Sequence, residues 1–92
     1  MSKALFRLGQ LVATPGAIET LSESNEGSIS FLRRHQCGDW GELSPEDKRA
    51  NSRAVSTAGR ILSAYRTKKG VKLWVITEAD RSSTCILLPS EY

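Results

Sequence analysis

From Phe6 to Ala13 the chain reads Phe-Arg-Leu-Gly-Gln-Leu-Val-Ala. That composition is strand-like, and it predicts one face shared by Phe6, Leu8, Gln10 and Val12. Thr14-Pro15-Gly16-Ala17 stops the strand and starts a helix, because Thr14 can cap and Pro15 suits the first helical position. Ile18 and Leu21, three apart, mark the apolar side of that helix. Ser22-Glu23-Ser24-Asn25-Glu26-Gly27 is a polar break. Ser28 is the expected cap of a second helix carrying Ile29, Phe31 and Leu32, and Gly38 its expected left-handed terminator. The third helix has the clearest start: Ser44 caps, Pro45 follows, and Glu46 and Asp47 place negative charge in the first turn, where the helix dipole favours it. Gly59 is the predicted stop. The apolar side of this helix is thin (Ala50, Ala54, Val55, Ala58), which predicts that it lies flat against a sheet.

From Arg60 the period changes to two. Ile61–Arg66 runs to Thr67-Lys68-Lys69-Gly70, whose glycine fits the positive-φ position of a bulged hairpin. Val71–Ile76 returns, Thr77–Ser82 connects, and Ser83–Leu88 forms a last strand closed by Pro89. The order is β-α-α-α-β-β-β: an N-terminal strand, three short helices, then a three-stranded antiparallel meander. This is an α+β arrangement in a single domain, residues 1–92. Whether Ser83–Leu88 is an open edge, and what the oligomeric state is, the pattern leaves open.

Composition adds little to this picture, and charge adds more. The 92 residues are 39% hydrophobic and 25% charged, an ordinary globular balance. No apolar run approaches the roughly 20 residues that cross a bilayer, and the opening Met-Ser-Lys-Ala-Leu-Phe-Arg lacks a cleavable leader pattern. A cytoplasmic protein with no membrane partner is the expectation, with Cys37 and Cys85 as reduced thiols. Net charge is +3, divided unevenly: residues 1–46 sum to −2 and residues 47–92 to +5. The basic C-terminal half suits a nucleic acid or an acidic protein surface.

Three stretches hold candidate chemistry. In Arg33-Arg34-His35-Gln36-Cys37-Gly38-Asp39-Trp40-Gly41, a thiol and an imidazole two residues apart at a helix end point to different sides, a poor geometry for nucleophile and base. The stretch reads better as a corner: Gly38 and Gly41 supply backbone freedom, Asp39 accepts loop amides, and Trp40 plugs the gap between the second and third helices. Arg33, Arg34 and Trp40 are alternatively anchors for a partner. Thr77-Glu78-Ala79-Asp80-Arg81-Ser82 has two acids, a weak metal signal, and reads as a salt-bridged turn. The hairpin, with Tyr65, Arg66, Lys68, Lys69, Lys72 and Trp74, sets cations beside aromatics, the combination that contacts phosphates and stacks on bases. The candidate binding set is therefore Arg33, Arg34, Trp40, Tyr65, Arg66, Lys68, Lys69, Lys72 and Arg81, with Gly38, Asp39, Trp40 and Gly41 as a structural loop. With one histidine and two separated cysteines, no metal site and no cofactor are expected.

Across nearly its whole length, through LGQLVATPGAIETL, RHQCGDWGELSPEDKRAN and GRILSAYRTKKGVKLWVITEADRSSTCILLPSEY, the chain resembles a family of short proteins of bacterial plasmids and integrative elements. Its members are often labelled plasmid-related protein, and sometimes type I restriction subunit. Gly38, Asp39, Trp40, Gly41, Glu78, Asp80 and Arg81 fall on the matching strings. The resemblance implies a setting on a mobile element and no particular reaction. A weaker, topological similarity is to RelE-like endoribonuclease toxins, which would draw on Tyr65, Arg66, Lys72 and Arg81. The leading expectation is a non-enzymatic binding protein of a mobile element, its specific form a counter-defence inhibitor (anti-CRISPR or anti-restriction) that binds a host protein or ribonucleoprotein complex. A RelE-like toxin and a nucleic-acid-binding accessory protein are the alternatives.

Overall fold

Thr14 and Ser44 cap their helices as the sequence predicts: each hydroxyl accepts from the backbone N–H three residues on, Ala17 at 3.2 Å and Asp47 at 3.1 Å. The computed structural model, which describes residues 3–92, builds from these starts a helix α1 (Pro15–Ser24), then α2 (Ser28–Gln36) and α3 (Pro45–Thr57). Strand β1 (Gln10–Ala13) precedes them, and β2 (Ile61–Arg66), β3 (Lys72–Thr77) and β4 (Ser83–Leu87) follow, with a single 3-10 turn at Pro89–Glu91. The arrangement is α+β, with the predicted element order.

The sheet is not only a meander. β2, β3 and β4 pair antiparallel in sequence, and β1 adds to β4 in parallel, giving the order β1-β4-β3-β2. Three helices intervene between β1 and the hairpin, so the chain has the length a parallel crossover needs. The last strand is therefore interior, and β1 is the edge. β1 is also shorter than the predicted Phe6–Ala13 strand. Gly9 adopts φ +67°, and a Cβ there would sit 2.4 Å from the Arg81 carbonyl, so the chain turns at Gly9 and Phe6 leaves the sheet for the aromatic core.

Register divides the sheet into two faces. Ile61, Ser63 and Tyr65 pair with Thr77, Val75 and Leu73, and Thr77 and Val75 with Thr84 and Ile86. On this face the core closes with Ala17, Leu21, Phe31 and Leu32 from α1 and α2. The second face carries Leu62, Ala64 and Arg66, then Lys72, Trp74 and Ile76, then Cys85 and Leu87. Across it, near β3, lies the C-terminal turn.

Three local expectations are corrected. Gly27 rather than Ser28 is the N-cap of α2, with no side-chain cap, so Ser28 is its first residue. Ala58 rather than Gly59 takes the left-handed position ending α3, at φ +57°. And α3 does not lie flat on the sheet: of its residues only Asn51 and Ala54 are buried, and Asn51 bonds to the edge of β2. A helix whose apolar stripe is only alanines and one valine has too little surface to cover a sheet.

Candidate functional site

The glycine-bounded corner is held by backbone. Ala64 donates to the Trp40 carbonyl at 3.1 Å and accepts from the Glu42 N–H at 2.7 Å, so residues 40–42 run along β2. Gly41 stands at the crossing with φ +77°, and a Cβ there would meet the Ala64 carbonyl oxygen at 1.9 Å. Only glycine fits that approach. Trp40 is 6% exposed and packs with Phe6, Leu43, Ala54, Val55 and Ile61. Asp39 accepts from the Gly41 N–H at 3.3 Å and from Arg34 Nε at 2.7 Å. This pair holds the Asp39 carboxyl below, and the Arg34 guanidinium above, their ordinary values. Arg34 also lies 4.4 Å from the centre of the Tyr65 ring, and the Tyr65 hydroxyl donates to the Asp39 carbonyl at 2.6 Å. Tyr65 is 1% exposed, and burial pushes its phenol up to about 12. Gly38, Asp39, Trp40 and Gly41 thus form one corner with Arg34 and Tyr65, which join it through the fold.

Cys37 is half-buried, whereas His35 points into the core. It is wholly buried, with Nδ1 2.6 Å from Ser63 Oγ and Nε2 2.9 Å from Thr77 Oγ1. Thr77 Oγ1 lies 2.7 Å from Thr84 Oγ1, which donates to the Leu8 carbonyl at 2.7 Å. Because that carbonyl takes the Thr84 proton, Thr77 must donate to Thr84, His35 Nε2–H to Thr77, and Ser63 to the bare Nδ1. The tautomer is set by the last acceptor in the row. Burial, with a contribution from the Arg81 charge, pushes the imidazole down to about 4. Sequence reasoning missed this network. Its signal was present in three hydroxyls, Ser63, Thr77 and Thr84, at inward positions of otherwise apolar strands.

Arg81 is committed to structure. At φ +61° it turns its guanidinium onto the end of α3, donating to Gly59 O at 2.6 Å and Ala54 O at 2.9 Å. It also donates to the carbonyls of Glu78 and Ala79 in its own loop, and lies 5.5 Å from the Phe6 ring. The neighbouring acids do not converge: Asp80 Oδ1 accepts from the Ser82 N–H and Glu78 sits 3.8 Å from Arg60. Among the described residues no group of three His, Cys, Asp or Glu side chains comes together as a metal site. Cys37 and Cys85 are free and half-buried, and burial pushes the Cys85 thiol up.

The remaining candidates gather on the second face of the sheet and at the hairpin tip. Arg66 and Lys72 are cross-strand partners, and Trp74 stands on the same face two residues along β3. Arg66 bonds Glu42 at 2.8 Å and the Gly70 carbonyl at 3.1 Å. Lys68 and Lys69 project from the tip, where the Lys68 N–H is taken by a Glu26 carboxylate oxygen at 3.0 Å. Two residues outside the predicted set complete the patch. Tyr92, 68% exposed, packs edge-on against Trp74 at 5.7 Å, and Arg60 reaches across its ring, donating to its hydroxyl at 2.7 Å. Nothing local in the sequence marks either, since the C-terminal turn brings them together. Tyr65 is on the other face, Arg33 is exposed on α2, and Arg81 lies beyond the far end of β3 from Lys72, so the four residues a RelE-like site would need are not assembled.

No protein-family model, curated protein or solved structure matches this chain. No helix among the described residues is long and apolar enough to cross a membrane.

Proposed function

We propose that this is a non-enzymatic binding protein of a bacterial mobile element, acting in the cytoplasm as a counter-defence inhibitor. It would occupy an acidic protein surface of a host CRISPR or restriction complex through the second face of its sheet. One observation carries the reading: that face presents Trp74 and Tyr92 in contact, flanked by Arg60, Arg66 and Lys72. Trp, Tyr and Arg are the residues that dominate binding energy where they cluster, and the cations fit an acidic counterpart. The single histidine, by contrast, has both nitrogens engaged in the core. The RelE-like alternative draws no support from this arrangement.

The test is plasmid establishment in cells with an active CRISPR or type I restriction system. The parent protein should raise it, and Tyr92→Ala combined with Lys72→Glu, both at exposed positions of the patch, should abolish the gain while melting within a few degrees of the parent. Growth arrest on expression in cells lacking both systems would favour the toxin. The same aromatic–cation patch supports a nucleic-acid-binding reading, which the salt dependence of binding to single-stranded RNA decides. That affinity should be negligible for the inhibitor and should fall steeply with salt for a nucleic-acid binder.

A further inference from the structure

The two edges of the sheet are finished differently. On β2 every outward backbone group of the central residues is occupied. The Asn51 carboxamide donates to Leu62 O at 2.7 Å and accepts from Leu62 N–H at 3.2 Å, and residues 40–42 do the same for Ala64. A further strand cannot add there. On β1, Gln10 N–H bonds Ser82 O and Thr14 N–H bonds Ile86 O, so alternation turns the N–H and C=O of Leu11 and Ala13 outward. Among the described residues nothing bonds to them. All four β1 residues are exposed, Leu11 by 51% and Val12 by 44%. The strand has no charge, proline or bulge, the usual devices that keep an edge from pairing.

We propose that β1 is a self-association surface. Two copies pair antiparallel about a two-fold axis through Val12, making one continuous eight-stranded sheet. In this register Leu11 lies opposite the second copy's Ala13, and Ala13 opposite its Leu11, so the outward groups meet as two hydrogen-bonded pairs with four bonds. A register centred on Leu11 would set Ala13 against Gly9, which has left the strand conformation. The side chains fit the same register. Beside the strand on the helix side, a pocket of about 170 Å³ is lined by Leu11, Val12, Ala13, Ser28, Leu32 and Ile86. The second copy's Leu11, standing opposite the small Ala13, enters it. On the other face Val12 meets its own copy. A neutral strand puts no like charges opposite each other on a two-fold, so the surface is complementary to itself. It offers no charge by which a foreign strand would be selected.

One strand pair buries less than a standard interface, so half-dissociation is expected at roughly 10–100 µM. Sedimentation from 1 µM to 1 mM should show a monomer–dimer transition in the parent, and a monomer throughout for Leu11→Lys, whose exposed site leaves folding intact. In a Cys37→Ser, Cys85→Ala background, Val12→Cys should form a disulfide-linked dimer under oxidised glutathione, because facing residues of a non-hydrogen-bonded pair are close enough. It should do so at least tenfold faster than Val71→Cys, a site of similar exposure at 40%. A parent monomeric at 1 mM, a dimer unchanged by Leu11→Lys, or equal cross-linking rates would each overturn the proposal. The outcome is independent of the inhibitor reading.

Discussion

Lowering the pH from 7.5 to 5 should remove about 2 kcal/mol of folding stability through His35 alone. An unfolded chain binds this proton near the ordinary imidazole value of 6.5, whereas burial delays it to about 4 in the folded protein. The unfolded state therefore takes the proton first. Stability is complete above 6.5, declines as pH falls below it, and levels off once the folded state is also protonated near 4. The gap corresponds to roughly 3 kcal/mol in full, and to about 2 by pH 5. The physical cause is burial first: a charged imidazolium would sit in a site with no water-exposed surface, with the Arg81 charge adding to the cost. Asp39, held down by Arg34, and Glu91, held down by Thr14, lose their stabilising contribution only as pH falls through the ordinary carboxylate range of about 4, at the lower end of this window. Urea unfolding at pH 7.5, 6.5, 5.5 and 5.0 measures the effect, and a loss of about 2 kcal/mol lowers the melting temperature by roughly 8–16 °C for a domain of this size. His35→Gln, less stable at neutral pH, should lose the dependence between 7.5 and 5. A flat parent profile, or the same slope in His35→Gln, would refute the buried neutral imidazole.

Trp40→Ala should cost about 3–5 kcal/mol in chemical denaturation, the range for truncating a large core side chain; a loss under about 1 kcal/mol would place Trp40 outside the core. Asn51→Ala leaves the N–H and C=O of Leu62 without their partner and should cost about 2 kcal/mol, with Asn51→Asp, which keeps the acceptor, intermediate; equal stability of Asn51→Ala and parent would show that this edge contact is dispensable. Arg81→Ala should speed hydrogen exchange in the last turn of α3 and lower stability by about 1–3 kcal/mol, while Arg81→Lys, which cannot reach both Ala54 and Gly59 carbonyls at once, should recover only part; unchanged exchange there would remove Arg81 from its capping role.

The helix starts were legible because a cap is a local event. Thr14-Pro15 and Ser44-Pro45-Glu46-Asp47 carry their whole meaning within one turn. The hairpin was legible for the same reason, with Gly70 at φ +81°. What sequence missed depended on distant partners. β1 is parallel to β4 because of where α1 and α2 return the chain, and no pattern within Gln10–Ala13 states its partner. The end of α3 shows the limit most clearly. Gly59 is the residue type that ends helices, yet Ala58 holds the left-handed turn, and Arg81, more than twenty residues on, stands over the carbonyls behind it. At the candidate site, the corner of Gly38–Gly41 could be read from glycines around a tryptophan, but the attachment of Tyr65 to the Asp39 carbonyl could not.

The residues that would first be suspected of catalysis in this chain are those most fully used by the fold. A general acid or base needs a proton or a lone pair facing a space that substrate can enter. His35 has one nitrogen donating and the other accepting inside the core, and Tyr65 gives its proton to a backbone carbonyl with its phenol pushed up to about 12. Arg81 has four carbonyls around its guanidinium. Substituting any of the three would therefore register first as lost stability, and an activity screen alone would misread that loss as catalysis. The side chains that face solvent are of another kind: lysines at the hairpin tip, Arg66 and Lys72 across a strand pair, and Tyr92 resting on Trp74 beneath Arg60. These groups attract and pack. With His35, Tyr65 and Arg81 engaged by the fold and cations and aromatics left facing solvent, the sheet face rather than the His35–Cys37 stretch is the surface on which the proposed function is placed.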